Sequence, residues 1–309
     1  MTFDIKAEIG LIGTGRMGRP IAECLLKAGR RLAVFDRDLL ATSALASSQC
    51  SICPSAADVA NKAPIVLACV PSIEAFDDCT LGNDGLVHGS AIRVYVHLGT
   101  TGPRNVIRIA EQLSARGIAT LDAPISGGMG RAAAGTLSSM ISGSGDAIDR
   151  ASEAIRLYSS SLTVVGDAPG AAQIAKLINN MLSAANLAAA IEGLIVASKA
   201  NVDISALTEV LLRSTGGSYA FETKIVEQVL TRQFNFGGAL RIIRKDMEAW
   251  REMIEDFGLA CPIGSEVHKT YMRAMEQLDP DDDMTSIAKY YETLEGVAIP
   301  KVTIQRGKS

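Results

Sequence analysis

The 309-residue sequence lacks the features that mark several large classes of protein. No window approaches about 18 to 20 apolar residues without a polar interruption, so a membrane span is not expected. The first residues, MTFDIKAEIGLIG, run straight into a strand pattern, without the basic start, longer apolar core and small-residue cleavage site of a signal peptide. Basic residues are scattered along a chain of net charge -4, which gives no clustered basic face for nucleic acid. These absences favour a cytoplasmic protein with neither a membrane nor a nucleic-acid partner.

Cysteine and histidine are also scarce. Six cysteines in a chain of this length indicate free thiols rather than a disulfide framework. Cys50 and Cys53 form a C-x-x-C pair, but no second pair and no nearby histidine completes a zinc set, so no metal site is predicted. The histidines are isolated in sequence, at His88, His97 and His268, which argues against a histidine proton relay.

A glycine-rich motif near the start of the chain predicts a dinucleotide site. The motif follows a short apolar strand pattern and precedes a helical pattern. Gly13 permits a tight turn, Gly15 lets the backbone approach a pyrophosphate, and Gly18 lets the helix pack against the strand. The predicted cofactor-binding residues of this loop are Gly13, Thr14, Gly15, Arg16, Met17 and Gly18.

The residues at the end of the second predicted strand bear on the choice of cofactor. Asp36 is placed to accept hydrogen bonds from an adenosine ribose diol, and its charge would repel the extra phosphate of NADP, which favours NAD. Arg37 follows directly, and an arginine there is able to stack on adenine or pair with a 2'-phosphate, so NADP stays possible.

Further strands indicate a doubly wound, largely parallel sheet of the Rossmann type. Apolar strand patterns occur at 65–70, 93–99, 118–124, 137–142 and 162–166, with helical segments between most of them. Ligands on such sheets bind at the carboxyl ends of the strands. Those ends carry Val70-Pro71, Gly99-Thr100-Thr101 and Ser126-Gly127-Gly128.

The second half of the sequence reads as helix. Helical patterns occur at 171–201, 205–213, 219–231, 237–257 and 263–278, whereas 278–284 reads as a solvated loop with a helix start and the tail 301–309 as loose. The predicted class is therefore α/β, with a dinucleotide-binding Rossmann domain at 1–167 and an all-helical substrate and oligomerisation domain at 168–309. The first of these helices has so little charge that it must be covered on several faces, which predicts a homodimer or a homotetramer.

One lysine stands near the start of this apolar helix, in the stretch GAAQIAKLINNML. At about 100° per residue, Lys176, Asn180 and Ser183 fall on one line. An apolar stripe is formed by Ile174, Leu177, Ile178, Met181 and Ala185. The polar column is either the solvent-facing side of the helix or a site directed at a ligand.

Four motifs, in order, resemble those of the beta-hydroxyacid dehydrogenase family. They are GLIGTGRMG, DAPISGG followed by AAAGTLSSMISG, GAAQIAKLINN and RKDMEAW. The resemblance implies that Lys176 is the catalytic acid/base and that Asn180 orients the substrate. It implies that Ser126, Gly127 and Gly128 bind the substrate carboxylate. It further implies cofactor contact by Thr100 and closure of Lys245 over cofactor and substrate, with Asp246 in support.

The implied reaction is hydride transfer between NAD and a small hydroxy acid that bears a carboxylate, 3-hydroxyisobutyrate-like or a sugar acid. Two alternatives stay open: an NADPH-dependent reductase of glyoxylate or a semialdehyde, and a non-catalytic nucleotide-binding protein. Imine reductases resemble the architecture but generally replace the lysine, so Lys176 counts against them. Departures from the family pattern, which concern the substrate rather than the reaction class, are Gly99, Ala172, Gly238 and Trp250.

Overall fold

The computed structural model describes residues 8–302 and divides into two compact units, Met1–Lys176 and Leu177–Ser309. Residues 1–7 of the predicted N-terminal run and residues 303–309 of the predicted loose tail lie outside the described residues. The division falls within a helix, and the domain boundary at 167 stays a prediction. The first turn of that helix belongs to the first unit, where Gln173 Nε2 donates to Asp122 Oδ1.

The first unit contains a nine-stranded sheet within the described part of the chain. Its strands are β1 (Ile9–Ile12), β2 (Leu32–Phe35), β3 (Cys50–Ile52), β4 (Ile65–Ala68), β5 (Val94–His97), β6 (Ala119–Asp122), β7 (Ile125–Ser126), β8 (Leu137–Ser142) and β9 (Ser159–Gly166). The order is β3-β2-β1-β4-β5-β6-β8-β7, with β9 paired to β8. Strands β1 to β6 are mutually parallel, and β8 runs antiparallel to both β6 and β7.

Helices cover both faces of this sheet. They are α1 (Gly18–Lys27), α2 (Leu39–Ser43), α3 (Ala56–Lys62), α4 (Ile73–Leu81), a 3-10 turn (Leu86–His88), α5 (Pro103–Ser114), α6 (Gly128–Ala133) and α7 (Gly145–Arg156). Successive residues of a strand point to opposite faces, and accordingly Val94 and Val96 join one buried apolar cluster while Tyr95 joins another. The predicted doubly wound, largely parallel sheet is confirmed.

The second unit is helical, as predicted. It holds most of α8 (Ala171–Lys199), then α9 (Ile204–Leu212), a π-helix (Phe221–Val229), α10 (Leu240–Asp256), α11 (Pro262–Ala274), a 3-10 turn (Met284–Ser286) and α12 (Ile287–Glu295). The segment predicted as an ordinary helix at 219–231 is thus a π-helix in its centre, and the helix start predicted within 278–284 leads into α12. Asp283 accepts hydrogen bonds from the backbone N–H groups of Thr285 and Gly237, at 3.0 and 2.8 Å, so the acidic segment does end as a helix start.

The long helix α8 has the length and apolar composition of a membrane-crossing helix, with a mean hydropathy of 1.6. Core helices share that composition. In this chain α8 places Leu187, Ile191 and Leu194 in the buried apolar cluster of the second unit. We therefore describe it as a core helix.

Candidate active site

The predicted cofactor residues gather at one edge of the sheet, because parallel strands end at the same edge. The glycine loop follows β1, Asp36 follows β2, Val70-Pro71 closely follows β4, and Thr100 closely follows β5. Strand β1 lies between β2 and β4, so the connections run in opposite directions on its two sides. This is the switch point at which ligands of open α/β sheets bind.

Glycine occupies each of the three positions of the loop for a different structural reason. Gly13 adopts a φ of +85°, and a Cβ there would overlap the backbone carbonyl of Cys69. A Cβ at Gly18 would overlap the carbonyl oxygen of Gly13. At Gly15, by contrast, a Cβ would meet no atom within 4 Å, and the residue is exposed. The loop thus offers open backbone where a pyrophosphate would approach, so these residues fit a dinucleotide.

Asp36 is held beside this loop by two backbone groups. Its Oδ2 accepts a hydrogen bond from the Thr14 N–H at 2.7 Å, and its Oδ1 accepts one from the Asp38 N–H at 2.9 Å. Each carboxylate oxygen has two lone pairs, so Asp36 keeps the capacity to accept from a ribose hydroxyl. Arg37 is exposed next to it.

A buried carboxylate at the end of β6 was missed by the sequence reasoning. Asp122 is fully buried, and its Oδ2 accepts from the backbone N–H groups of Gln173 at 2.8 Å and Gly170 at 3.2 Å. Its Oδ1 accepts from Gln173 Nε2 at 2.7 Å. Burial raises the pKa of Asp122 to about 6, and the hydrogen bonds from Gln173 and Gly170 oppose that rise.

The other atoms of Gln173 hold the loop after β5. Its Oε1 accepts from the backbone N–H groups of Thr101 at 2.8 Å and Gly102 at 3.0 Å, and its Nε2 also donates to the Gly99 carbonyl at 3.0 Å. The loop that contains Thr100 is therefore tied to the first turn of α8, close in sequence to Lys176.

The predicted carboxylate-binding turn follows β6 as well. Ser126 is half-buried in β7 and pairs antiparallel with β8. Gly127 and Gly128 have φ values of +135° and +69°, and both are exposed. The left-handed backbone explains glycine at both positions, and it leaves a stretch of accessible main chain next to a serine hydroxyl.

The lysine of α8 is buried, with 9% of its surface exposed, so the polar column is not the solvent-facing side of the helix there. One turn further along, Asn180 Nδ2 donates to Asp246 Oδ2 of α10 at 2.6 Å. Lys245 Nζ forms an ion pair with Asp246 Oδ1 at 2.9 Å. The second unit therefore brings three predicted site residues together: Asn180, Lys245 and Asp246.

Another buried lysine faces the same column and was also missed by the sequence reasoning. Lys224, on the π-helix, is 8% exposed and donates from Nζ to Ser183 Oγ at 2.8 Å. Its ammonium lies 5.1 Å from the centre of the Phe236 ring. The only sequence signal was a single lysine within FETKIVEQV, where the spacing did not reveal which side of the helix is buried.

The departures from the family pattern have local explanations. A Cβ on Gly238 would overlap the terminal methyl group of Met284, so the flexible end of that side chain would have to move for any larger residue. Trp250 packs on Gly264 of α11, since a Cβ on that glycine would stand 2.6 Å from the indole nitrogen. Ala172 is buried and donates its N–H to Ser142 Oγ at 3.0 Å. A Cβ on Gly99 would lie 3.0 Å from the His97 ring, a tight but not prohibitive contact.

Within residues 8–302, no group of three His, Cys, Asp or Glu side chains is arranged to hold a metal ion. Cys50 and Cys53 are free, buried thiols, and burial raises the pKa of Cys50 to about 11.

A Rossmann-type sheet with an open glycine loop and a carboxylate after β2, followed by a helical unit, defines an NAD(P)-dependent oxidoreductase. Residues 8–166 match the family described as the NAD binding domain of 6-phosphogluconate dehydrogenase, and residues 170–291 match the one described as NAD-binding of NADP-dependent 3-hydroxyisobutyrate dehydrogenase. The chain belongs to the beta-hydroxyacid dehydrogenase family, and it is an NAD(P)-dependent hydroxyacid dehydrogenase.

Relatives of known name support this assignment along nearly the whole chain. An NAD-dependent L-serine dehydrogenase of Pseudomonas aeruginosa is 29% identical over 94% of this chain and 99% of its own. A 2-(hydroxymethyl)glutarate dehydrogenase of Eubacterium barkeri is 27% identical over 94% and 97%. The structure of Mycobacterium tuberculosis 3-hydroxyisobutyrate dehydrogenase with L-serine is similar at a TM-score of 0.86 and 25% identity, covering 93% of this chain and 99% of that one.

Proposed function

We propose that the enzyme oxidises a small 3-hydroxy acid, 3-hydroxyisobutyrate-like or a sugar acid, with Lys176 as the acid/base and with NAD as the preferred cofactor. One observation carries the proposal: Lys176 is buried on α8 one helical turn from Asn180, whose amide is fixed by Asp246. Such a lysine is shielded from bulk water and stands on the same helix face as an oriented amide.

The residues divide the chemistry among them. A bound nicotinamide supplies the acceptor or donor of the hydride. In the oxidation direction, the neutral amine of Lys176 removes the hydroxyl proton of the substrate; in reduction, its ammonium donates that proton to the carbonyl oxygen. Asn180 orients the substrate, and the turn Ser126–Gly128 binds the carboxylate through the serine hydroxyl and main-chain N–H groups.

The preference for NAD rests on Asp36, which stands at the ribose position of the fold with a negative charge. The competing candidate is an NADPH-dependent reductase of glyoxylate or a semialdehyde, and the exposed Arg37 favours it because a guanidinium pairs well with a 2'-phosphate. Of these two groups, only Asp36 is fixed by hydrogen bonds to the glycine loop region, through Thr14.

The proposal is tested with the Lys176→Ala variant on a panel of L-serine, 3-hydroxyisobutyrate, 2-(hydroxymethyl)glutarate and threonate, each with NAD and with NADP. We expect turnover to fall by at least about a hundredfold, because general acid/base catalysis is worth roughly that much or more. NADH binding, followed by its fluorescence, should be retained.

The matched control is Lys199→Ala, which removes an exposed lysine at the other end of α8 and should leave turnover unchanged. Substantial turnover by Lys176→Ala would remove this lysine from the acid/base role. A tenfold advantage of NADP over NAD in the wild type would overturn the cofactor preference. NAD binding without turnover of any acid would favour the non-catalytic alternative.

We further infer a cytoplasmic homodimer or homotetramer. Apolar side chains on one face of α8 are exposed in the single chain: Ile178 by 41%, Leu182 by 50% and Val196 by 68%. Ile178 belongs to the predicted apolar stripe and lies at its uncovered edge. An aligned apolar face of this kind supports burial against a second copy of the chain.

A further inference from the structure

A second cation faces the polar column of α8. Lys224 donates to Ser183 at 2.8 Å, and Ser183 lies on the helix line of Lys176 and Asn180. Seven residues separate Lys176 from Ser183 on a continuous helix, which corresponds to roughly 10 Å along its axis. The polar column therefore extends from the buried Lys176 to the hydroxyl of Ser183, which accepts a hydrogen bond from the buried Lys224.

The surroundings of Lys224 fix the position of its ammonium. The side chain is 8% exposed, and Phe236 lies beside it at 5.1 Å from the ring centre. A π-helix closes its hydrogen bonds one residue later than an α-helix does, and such segments occur often at functional sites. Burying an ammonium costs free energy. The Lys224 ammonium, which faces the polar column of α8, places a fixed positive charge beyond Asn180 along that helix.

We infer that Lys224, with Ser183, forms a subsite for a second carboxylate of the substrate, so that the enzyme acts on hydroxy dicarboxylates. This inference rests on the proposed function, because it takes Lys176 and Asn180 as the place where the hydroxyl reacts. The distal carboxylate, separated from the reacting carbon by a short aliphatic chain, accepts hydrogen bonds from the Lys224 ammonium.

Charge-assisted hydrogen bonds of this kind give selectivity because the substrate carboxylate loses its hydration on binding and the buried ammonium replaces that hydration. A methyl group in the same place offers the ammonium no acceptor. Phe236 adds an apolar wall along which the aliphatic part of the substrate packs. The chain therefore predicts discrimination by the terminal group of the substrate rather than by its length.

The test uses two probes with the same carbon skeleton: 2-(hydroxymethyl)glutarate and 2-(hydroxymethyl)pentanoate, in which a methyl group replaces the distal carboxylate. The wild type should show a kcat/KM roughly ten- to a hundredfold higher for the dicarboxylate, the range given by one charge-assisted hydrogen bond. Lys224→Met should abolish this preference, mainly through a higher KM for the dicarboxylate. Lys224→Arg should retain the preference in part, and Ser183→Ala should reduce it.

The matched control is Lys289→Met, which removes another lysine stacked on an aromatic ring, 4.7 Å from the centre of Phe234. It should leave the preference unchanged. An equal loss for both probes in Lys224→Met, accompanied by a lower Tm, would show a structural role and overturn the inference. The inference would also be overturned if the wild-type enzyme had the same kcat/KM for both probes, or if it turned over neither probe.

The proposed function is judged separately in the same assay. If L-serine or 3-hydroxyisobutyrate is oxidised and Lys176→Ala abolishes that activity, the acid/base role stands whatever the Lys224 variants show. If Lys176→Ala remains active while Lys224→Met loses the dicarboxylate preference, the acid/base proposal fails and the anion subsite stands.

Discussion

Asp122 and Gln173 form a pair in which donors and acceptors have only one workable arrangement. The carboxylate receives three N–H groups, and the amide uses its oxygen for Thr101 and Gly102 and its nitrogen for Asp122 and Gly99. Rotating the amide would place its nitrogen against two backbone N–H groups. An amide at position 122 is therefore incompatible with the existing amide at 173.

Because each hydrogen bond of this pair has a fixed direction, exchanging the two side chains should restore stability that either single substitution removes. Asp122→Asn and Gln173→Glu should each lower the free energy of unfolding by about 1 to 3 kcal/mol, the first by opposing two donors and the second by opposing two carboxylates. In the double variant, the amide introduced at position 122 donates to the carboxylate introduced at position 173. That carboxylate still accepts from Thr101 and Gly102 but has no donor for the Gly99 carbonyl, so the stability should return in part. Urea denaturation at pH 7 measures the four free energies of the cycle.

Ser139→Ala is the control for this cycle. It removes a buried hydrogen bond to Ser159, at 2.6 Å, in the same sheet. Its cost should simply add to that of Gln173→Glu. If the free energy of unfolding of the exchange variant is no higher than the value expected by adding the effects of the two single substitutions, Asp122 and Gln173 are not coupled as described.

At the scale of elements, one close contact sets the packing of α10 on α11. Gly264 faces the Trp250 ring so closely that a Cβ would stand 2.6 Å from its nitrogen and 2.9 Å from the next ring carbon. Trp250 is buried, and a rigid indole has no flexible end that could move aside. The small residue on α11 is thus what permits the large one on α10.

Gly264→Ala should accordingly destabilise the protein by about 1 to 3 kcal/mol, the usual cost of overpacking a core, even though alanine is the better helix former. Combining it with Trp250→Leu should cost less than the sum of the two single changes. The free energies come from urea denaturation. A Gly264→Ala protein as stable as the wild type would show that the helices separate without cost.

At the scale of the whole molecule, the exposed face of α8 bears on assembly. Leu182 and Val196 lie on this face, on a different side of the helix from the Lys176 column. A charge introduced into an interface is left unpaired and desolvated, which costs several kcal/mol. The same charge on a free surface costs little.

Light scattering at micromolar concentration should therefore give a dimer or tetramer for the wild type and a smaller species for Leu182→Glu with Val196→Glu. The control is Ile263→Glu, since Ile263 is 74% exposed on another helix and should leave the assembly unchanged. A monomeric wild type would defeat the inferred assembly, and an intact oligomer in the double variant would place the interface elsewhere.

Much of the fold was predictable, because it depends on local patterns. The glycine loop, the alternation of apolar strands with helices and the change to an all-helical second half each appear within short windows of sequence. Strand β8 was predicted at 137–142, but its antiparallel direction was not, because direction is set by pairing. Strand β7 escaped prediction because it has only two residues. The π-helix escaped because its apolar spacing differs little from that of an α-helix over nine residues.

By itself the sequence determined the dinucleotide fold, the polar column of Lys176, Asn180 and Ser183, and the family motifs, since each is written in residues close together along the chain. The tertiary structure alone decided that Asp122 meets Gln173 from 51 positions away and that Lys224 meets Ser183 from 41. The physical reason is that a hydrogen bond between distant residues depends on how strands and helices pack. No local spacing encodes which buried polar groups will face one another.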